Sequence, residues 1–231
     1  MRLAMGDRLK DKRVLVTSAD QYMGPAIIDL FGDEGAVVFE STGKLDQPAV
    51  DKLVEEVSEI DVLIANFAVQ APMSAVQNIT DENWKLPFDE LVHPLMRIVR
   101  AVVPGMIERK KGKIVAITSV APLTGFPYGS AYAAARAAQN TFVRSIGLEL
   151  APENIQANII AQGYIKNPTY FPDALVDTEE FRKHVESRVP VKRMAEGSET
   201  AELALFLASE HSNFIVAQII PFAGGATTST G

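Results

Sequence analysis

Short apolar runs and longer amphipathic stretches alternate along most of the chain. RVLVT (13–17), AVVFE (36–40), DVLIAN (61–66), KIVAIT (113–118), IQANIIA (155–161) and VAQIIPF (216–222) are β-branched and almost wholly apolar. Runs of that kind predict strands buried on both faces, as in the centre of a parallel sheet. Helical periodicity fills the intervals at about 23–33, 47–58, 80–108, 129–150 and 199–208. The alternation predicts an α/β chain of βαβ units: a single-domain, Rossmann-like, doubly wound parallel sheet flanked by helices and spanning residues 1–231. Any ligand then belongs in the crevice beyond the carboxyl ends of the strands. The stretch 162–198 breaks the rhythm, rich in Pro, Gly, Tyr and Phe. It reads either as an insert capping the site or as a surface excursion packing its aromatics on the sheet.

Composition narrows the function classes. With 231 residues and 47% hydrophobic positions the chain can bury a large core without crosslinks, and it contains no cysteine. Thiol nucleophiles, thiolate metal sites and disulfides are thereby excluded. The net charge of −7 and the absence of a basic run longer than Arg109-Lys110-Lys111 speak against nucleic acid as a partner. Charged residues in MRLAMGDRLKDKR stand where a secretory signal needs an apolar stretch, and no apolar run approaches the roughly 18 residues that span a bilayer. The expectation is a soluble, cytoplasmic protein with no membrane partner, in which the sequon Asn78-Ile79-Thr80 is accidental. His93, His184 and His211 lack metal-ligand spacing, so no metal is expected.

In a fold of this class the loop after the first strand holds a nucleotide pyrophosphate against glycines and a helix N-terminus. Here it reads Thr17-Ser18-Ala19-Asp20-Gln21-Tyr22-Met23-Gly24, with one glycine, a bulky ring at Tyr22 and a negative charge at Asp20. Steric and electrostatic obstacles coincide, which reads as exclusion of pyrophosphate; the alternative has Tyr22 turned into the core to staple the next helix.

With this turn, Ala65-Asn66-Phe67-Ala68, the Ser119/Tyr132 pair and Phe222-Ala223-Gly224-Gly225, nearly the whole chain resembles the short-chain dehydrogenase/reductase superfamily. The superfamily's TGxxxGxG turn has become Thr-x4-(Phe/Tyr)-x-Gly, met by Thr17, Tyr22 and Gly24. That change resembles the halohydrin dehalogenases, a branch that uses the scaffold without a nicotinamide cofactor.

Ser119 follows KIVAIT, and thirteen residues later Tyr132-Ala-Ala-Ala-Arg136 opens an alanine-rich helix, with Tyr132 and Arg136 on one face. Singly, each has an ordinary reading as cap, core or solvated charge. Arg136, however, has no acidic residue three or four positions away, those places holding Ala133, Tyr132, Gln139 and Asn140. The superfamily's usual lysine is replaced by a guanidinium, a permanent cation with fixed donors. A unit charge ~5 Å from the phenol, in an effective dielectric of ~20, favours the phenolate by about 3 kcal/mol. Tyr132 is then a general base, and Ser119 holds the substrate oxygen.

The resemblance further implies a halide pocket from Gln162, Gly163, Tyr164 and Ile165 together with Tyr22. Asn167 stands where redox relatives hold the nicotinamide with a threonine, and His93 where they carry an asparagine of a proton relay. Phe67, Leu123, Phe126, Tyr170 and Phe171 are the expected substrate wall, with ordinary packing as the alternative for each. The resemblance thus implies a cofactor-independent carbon–halide lyase. Its partners would be a small haloalcohol or epoxide and a halide or other small anion, and its assembly a homotetramer through helices 80–108 and 129–150. Glu40, ending the second strand where NAD enzymes hold the ribose, keeps open a degenerate NAD(P)-dependent reductase, and a non-catalytic oligomeric binding protein is the third reading.

Overall fold

Six parallel strands form one sheet in the order β2-β1-β3-β4-β5-β6. They are β1 (Arg13–Thr17), β2 (Val37–Ser41), β3 (Val62–Asn66), β4 (Gly112–Ser119), β5 (Ile155–Gln162) and β6 (Ile219–Phe222). The computed structural model describes residues 6–227, so residues 1–5 of the charged N-terminal stretch and the last four residues lie outside the described residues. All six predicted strands are present. The sixth is shorter than VAQIIPF: Ala217, just before it, takes a left-handed backbone (φ 58°) that breaks the extended run, although its N–H still bonds Ala157 O of β5.

Alternation within each strand divides the core in two. Leu15, Leu63, Ala65, Ile114 and Ala116 face one side; there they meet Val50 and Val57 of α2 (Gln47–Val57), Leu95, Ile98 and Met106 of α4 (His93–Arg109), and Val143 of α6 (Ser130–Leu150). Val14, Val16, Ile64, Val115 and Ile117 face the other side and meet Ile27 and Phe31 of α1 (Gly24–Asp33) and Leu205 of α9 (Gly197–Ala208). Because a strand's side chains alternate, a sheet covered by helices on both faces requires the unbroken apolar runs seen in the sequence.

Local signals fix the helix starts. Asp46 caps α2 by accepting from Ala49 N–H, Thr80 caps α3 (Asp81–Pro87) by accepting from Asn83 N–H, and Glu196 and Glu199 form a reciprocal capping box on α9. The single helix predicted over 80–108 is broken. After α3 comes one π-turn, Phe88–Val92, and only then α4. Pro94 has no N–H for the carbonyl four residues before it, so the ladder cannot run through this point.

Between β5 and α9 the chain makes a cap rather than a plain crossover. It contains α7 (Asp173–Val176), α8 (Glu179–Arg188) and a small core of its own, Val185, Val189 and Met194, against which Tyr164, Phe171 and Phe181 pack. A short helix, α5 (Ala121–Thr124), follows β4. Among the described residues no helix is long and apolar enough to cross a membrane, and no group of His, Asp or Glu is arranged to hold a metal ion.

Candidate active site

The strand order reverses between β1 and β3, and the loops at the carboxyl ends of the strands enclose a cavity of about 690 Å³ beneath the cap. Ser119 and Tyr132 line it together, Ser119 at the end of β4 and Tyr132 in the first turn of α6. Ser119 Oγ accepts the N–H of Ala121 at 3.1 Å, which leaves the hydroxyl proton for a ligand. Gly129, just before α6, is needed here: a Cβ would lie 2.2 Å from the Phe126 ring, which packs edge-on against Tyr132 at 6.1 Å.

Arg136 is completely buried behind Tyr132. Its Nε donates to Tyr132 Oη (3.1 Å), Nη1 to Ile117 O (3.3 Å) and Gln139 Oε1 (2.9 Å), and Nη2 to Phe67 O (3.0 Å) and Tyr170 Oη (3.1 Å). A guanidinium has five N–H donors, so every one is used within the protein. Among the described residues no carboxylate pairs with it. Burial disfavours the charge, but the surrounding phenols of Tyr132, Tyr170 and Tyr22 outweigh it and hold the group above its ordinary value. Gln139 is itself fixed, its amide nitrogen donating to Leu91 O in the π-turn at 2.8 Å.

The first turn keeps the backbone of a glycine-rich loop but fills it with side chains. Ser18 (φ 45°) and Tyr22 (φ 54°) take left-handed conformations that favour glycine. Gly24 is retained because a Cβ there would stand 2.3 Å from Ala19 O. Asn66 pins the loop from β3: its Nδ2 donates to Ser18 O and Gln21 O, and its Oδ1 accepts from Met23 N–H. So held, the Tyr22 ring is buried against the sheet, its hydroxyl donating to Thr118 O at 3.4 Å and its ring packed T-shaped against Tyr170 at 5.4 Å. Burial pushes the Tyr22 phenol well above its ordinary value, against the pull of Arg136. A dinucleotide would need open, glycine-lined backbone at this turn, and the residues present do not fit one.

Gln162, Gly163, Tyr164, Ile165 and Tyr22 all border the cavity. Their roles differ. Gln162 spends its amide nitrogen on Thr200 Oγ1, and Gly163 N–H bonds Phe222 O. The N–H groups of Tyr164 and Ile165 have no acceptor among the described residues. Tyr164 (φ 61°) turns its ring into the cap, with its hydroxyl 3.2 Å from His184 Nε2 and its ring stacked on Phe171 at 6.3 Å.

The expected substrate wall is only partly assembled. Phe126, Tyr170 and Phe171 border the cavity. Phe67 and Leu123 do not: Phe67 is buried in the core and offers only its carbonyl, while Leu123 packs against the core. Tyr170 is more than an apolar surface, since its hydroxyl reaches Arg136 and accepts Val69 N–H at 3.0 Å. Asn167 makes this possible by accepting Tyr170 N–H at 2.8 Å, while its own amide holds Ile165 O at 2.8 Å. His93 lies apart, paired with Asp89 at 3.0 Å, and Glu40 is exposed on β2.

Residues 43–227 match the family model described as Enoyl-(Acyl carrier protein) reductase. The 3-oxoacyl-[acyl-carrier-protein] reductase FabG of Thermotoga maritima is 30% identical, across 94% of this chain and 98% of its own. The chain belongs to the short-chain dehydrogenase/reductase superfamily. Human dehydrogenase/reductase SDR family member 4 is 27% identical across 95% of this chain and 88% of its own. Among solved structures, one titled "Dehalogenation enzyme" superposes with a TM-score of 0.89 at 27% identity, covering 95% of this chain and all of the other. A halohydrin dehalogenase (HheC) bound to ethyl (2S)-oxiran-2-ylacetate superposes at 0.88 with 20% identity, covering 95% of this chain and 99% of its own, a likeness of fold.

Proposed function

We propose that this protein is a halohydrin dehalogenase, a cofactor-independent lyase that closes vicinal haloalcohols to epoxides and opens epoxides with small anions. The observation that supports the reading most is Tyr22, whose phenol lies on Thr118 O at the turn where a dinucleotide would need open backbone, with Ser119 and the Arg136-bonded Tyr132 bordering the same cavity. A hydride-transfer enzyme would need the first feature reversed.

In this mechanism the Ser119 hydroxyl donates to the substrate oxygen and Tyr132 Oη takes its proton. Arg136 has no donor to spare for substrate, so it acts through the phenol, stabilising negative charge on Tyr132 Oη. The new alkoxide attacks the neighbouring carbon, a C–O bond forms as the C–X bond breaks, and the halide takes the bonding pair. The departing anion meets the uncommitted N–H groups of Tyr164 and Ile165 and the edge of the Tyr22 ring. The balance is haloalcohol to epoxide, halide and one proton.

A second reading, a nicotinamide-dependent reductase, is favoured by the reductase names of the sequence relatives. Calorimetric titration with NADH and NADPH, run beside halide release from chloro- and bromo-alcohols, separates the two. Halide release without nucleotide binding is expected. Tight nucleotide binding with no halide release would replace the lyase by the reductase.

A further inference from the structure

The guanidinium of Arg136 presents one edge, Nε and Nη2, to two different phenols: Nε to Tyr132 Oη and Nη2 to Tyr170 Oη, each at 3.1 Å. That edge is the one with which arginine holds the two oxygens of a carboxylate in a parallel fork. Here two phenol oxygens occupy the positions of the carboxylate's pair, on rings whose centroids are 6.0 Å apart and inclined at 66°. Tyr170 Oη accepts from Val69 N–H at 3.0 Å as well as from Arg136, so both of its acceptor directions are taken and its remaining capacity is its own proton. The oxygen sharing the guanidinium edge with it is Tyr132 Oη, and burial, together with the nearness of Tyr132, raises the Tyr170 phenol.

We infer that Tyr170 is a positioning residue for proton transfer: it donates its hydroxyl proton to Tyr132 Oη, so that the two phenols on Arg136 carry one shared negative charge. One proton leaves the pair to solvent. Tyr170 keeps its own throughout, and the substrate's hydroxyl proton goes to Tyr132. Burial pushes the Tyr170 phenol up to about 12, which keeps it a donor over the working range. The turn is built for this: Asn167 fixes Tyr170 N–H, Phe171 N–H bonds Asn167 O, and the Tyr22 ring closes the far side of Tyr170. The charged or titratable groups facing the pair are Arg136 on α6 and Tyr22 in the first turn, with Tyr164 and His184 across the cavity; no carboxylate borders the cavity among the described residues.

The inference rests on the dehalogenase reading only for its effect on turnover, so the test has one arm that needs no substrate. Phenolate absorbance is titrated with pH in the intact protein and in Tyr170→Phe and Tyr132→Phe. The phenolate that Tyr132→Phe removes is expected to appear at least one pH unit higher in Tyr170→Phe. In the turnover arm, Tyr170→Phe lowers kcat about ten- to a hundredfold near neutral pH with little change in KM, and the deficit closes as pH rises. Fluorinated tyrosine at position 170, a stronger donor of the same shape, shifts the profile to lower pH, which a role in packing alone would not do. An unchanged phenolate titration in Tyr170→Phe, or a loss equal at every pH, overturns the role of Tyr170. Absent halide release with the titration as expected overturns the lyase reading and leaves the phenol pair standing.

Discussion

Arg136 Nε donates to Tyr132 Oη at 3.1 Å from a guanidinium that is wholly buried and meets only neutral partners. With no carboxylate to neutralise it among the described residues, its charge remains available to an anion forming on the phenol, an effect strengthened by low surrounding polarity. Arg136→Lys offers three donors in place of five and leaves carbonyls at Phe67 and Ile117 short of partners. The expected result is a loss of about 1–3 kcal/mol in stability and a pH–rate profile displaced to higher pH. Urea unfolding and kcat/KM measured across pH check both, and an unmoved profile would contradict the electrostatic role.

Tyr132→Phe removes one hydroxyl from a half-buried ring and keeps the edge-on contact with Phe126. Halide release is expected to vanish while unfolding free energy changes by about 1 kcal/mol. Turnover near that of the unaltered protein would rule out Tyr132 as the base.

Tyr22→Gly relieves a left-handed backbone but empties the space between Thr118 and Tyr170. Lost burial, about 2–3 kcal/mol, outweighs about 1 kcal/mol of relieved strain, so the variant is less stable. Inhibition by bromide is expected to weaken about tenfold, since the ring borders the cavity in which the anion is proposed to sit. Unaltered bromide inhibition would move the anion elsewhere in the cavity.

Lys113 lies at the opposite end of the sheet, buried, with its ammonium donating to Ser212 Oγ and Asn213 Oδ1. Burial lowers it to about 8, with Glu210 opposing. The folded state therefore binds fewer protons than the unfolded chain between about pH 8 and the ordinary lysine range near 10.4, and stability rises with pH across that interval. Below pH 8 the cost of burying the charge is felt in full. Lys113→Met is expected to gain stability relative to the parent at pH 7 and to lose that advantage by pH 10, as thermal unfolding at the two pH values would reveal. A difference independent of pH would show that the ammonium is not penalised.

The strands were legible because burial on both faces leaves an unambiguous apolar signature, as in KIVAIT and IQANIIA. Ser119 and Tyr132 were legible because one follows a strand and the other opens a helix at fixed spacing. The role of Gln139 was half visible: the sequence showed a neutral residue three positions after Arg136 where an acid would be ordinary, but its link to Leu91 O depends on a π-turn that the unbroken periodicity of 80–108 concealed. Asn167 stood out as a replacement, yet that it holds Tyr170 could be seen only once the cap was folded. Phe67 and Leu123 show the reverse limit. Apolar residues just after strands have the same sequence appearance whether they line a cavity or pack under it, and the neighbouring helices decide which.

The most direct test of the account is simultaneous measurement of halide and acid released from a vicinal bromoalcohol by the purified protein with no nicotinamide nucleotide added. The account predicts bromide and protons in a one-to-one ratio, lost together in Tyr132→Phe. No bromide under these conditions, with NADH or NADPH consumed in the presence of a carbonyl compound, would contradict it.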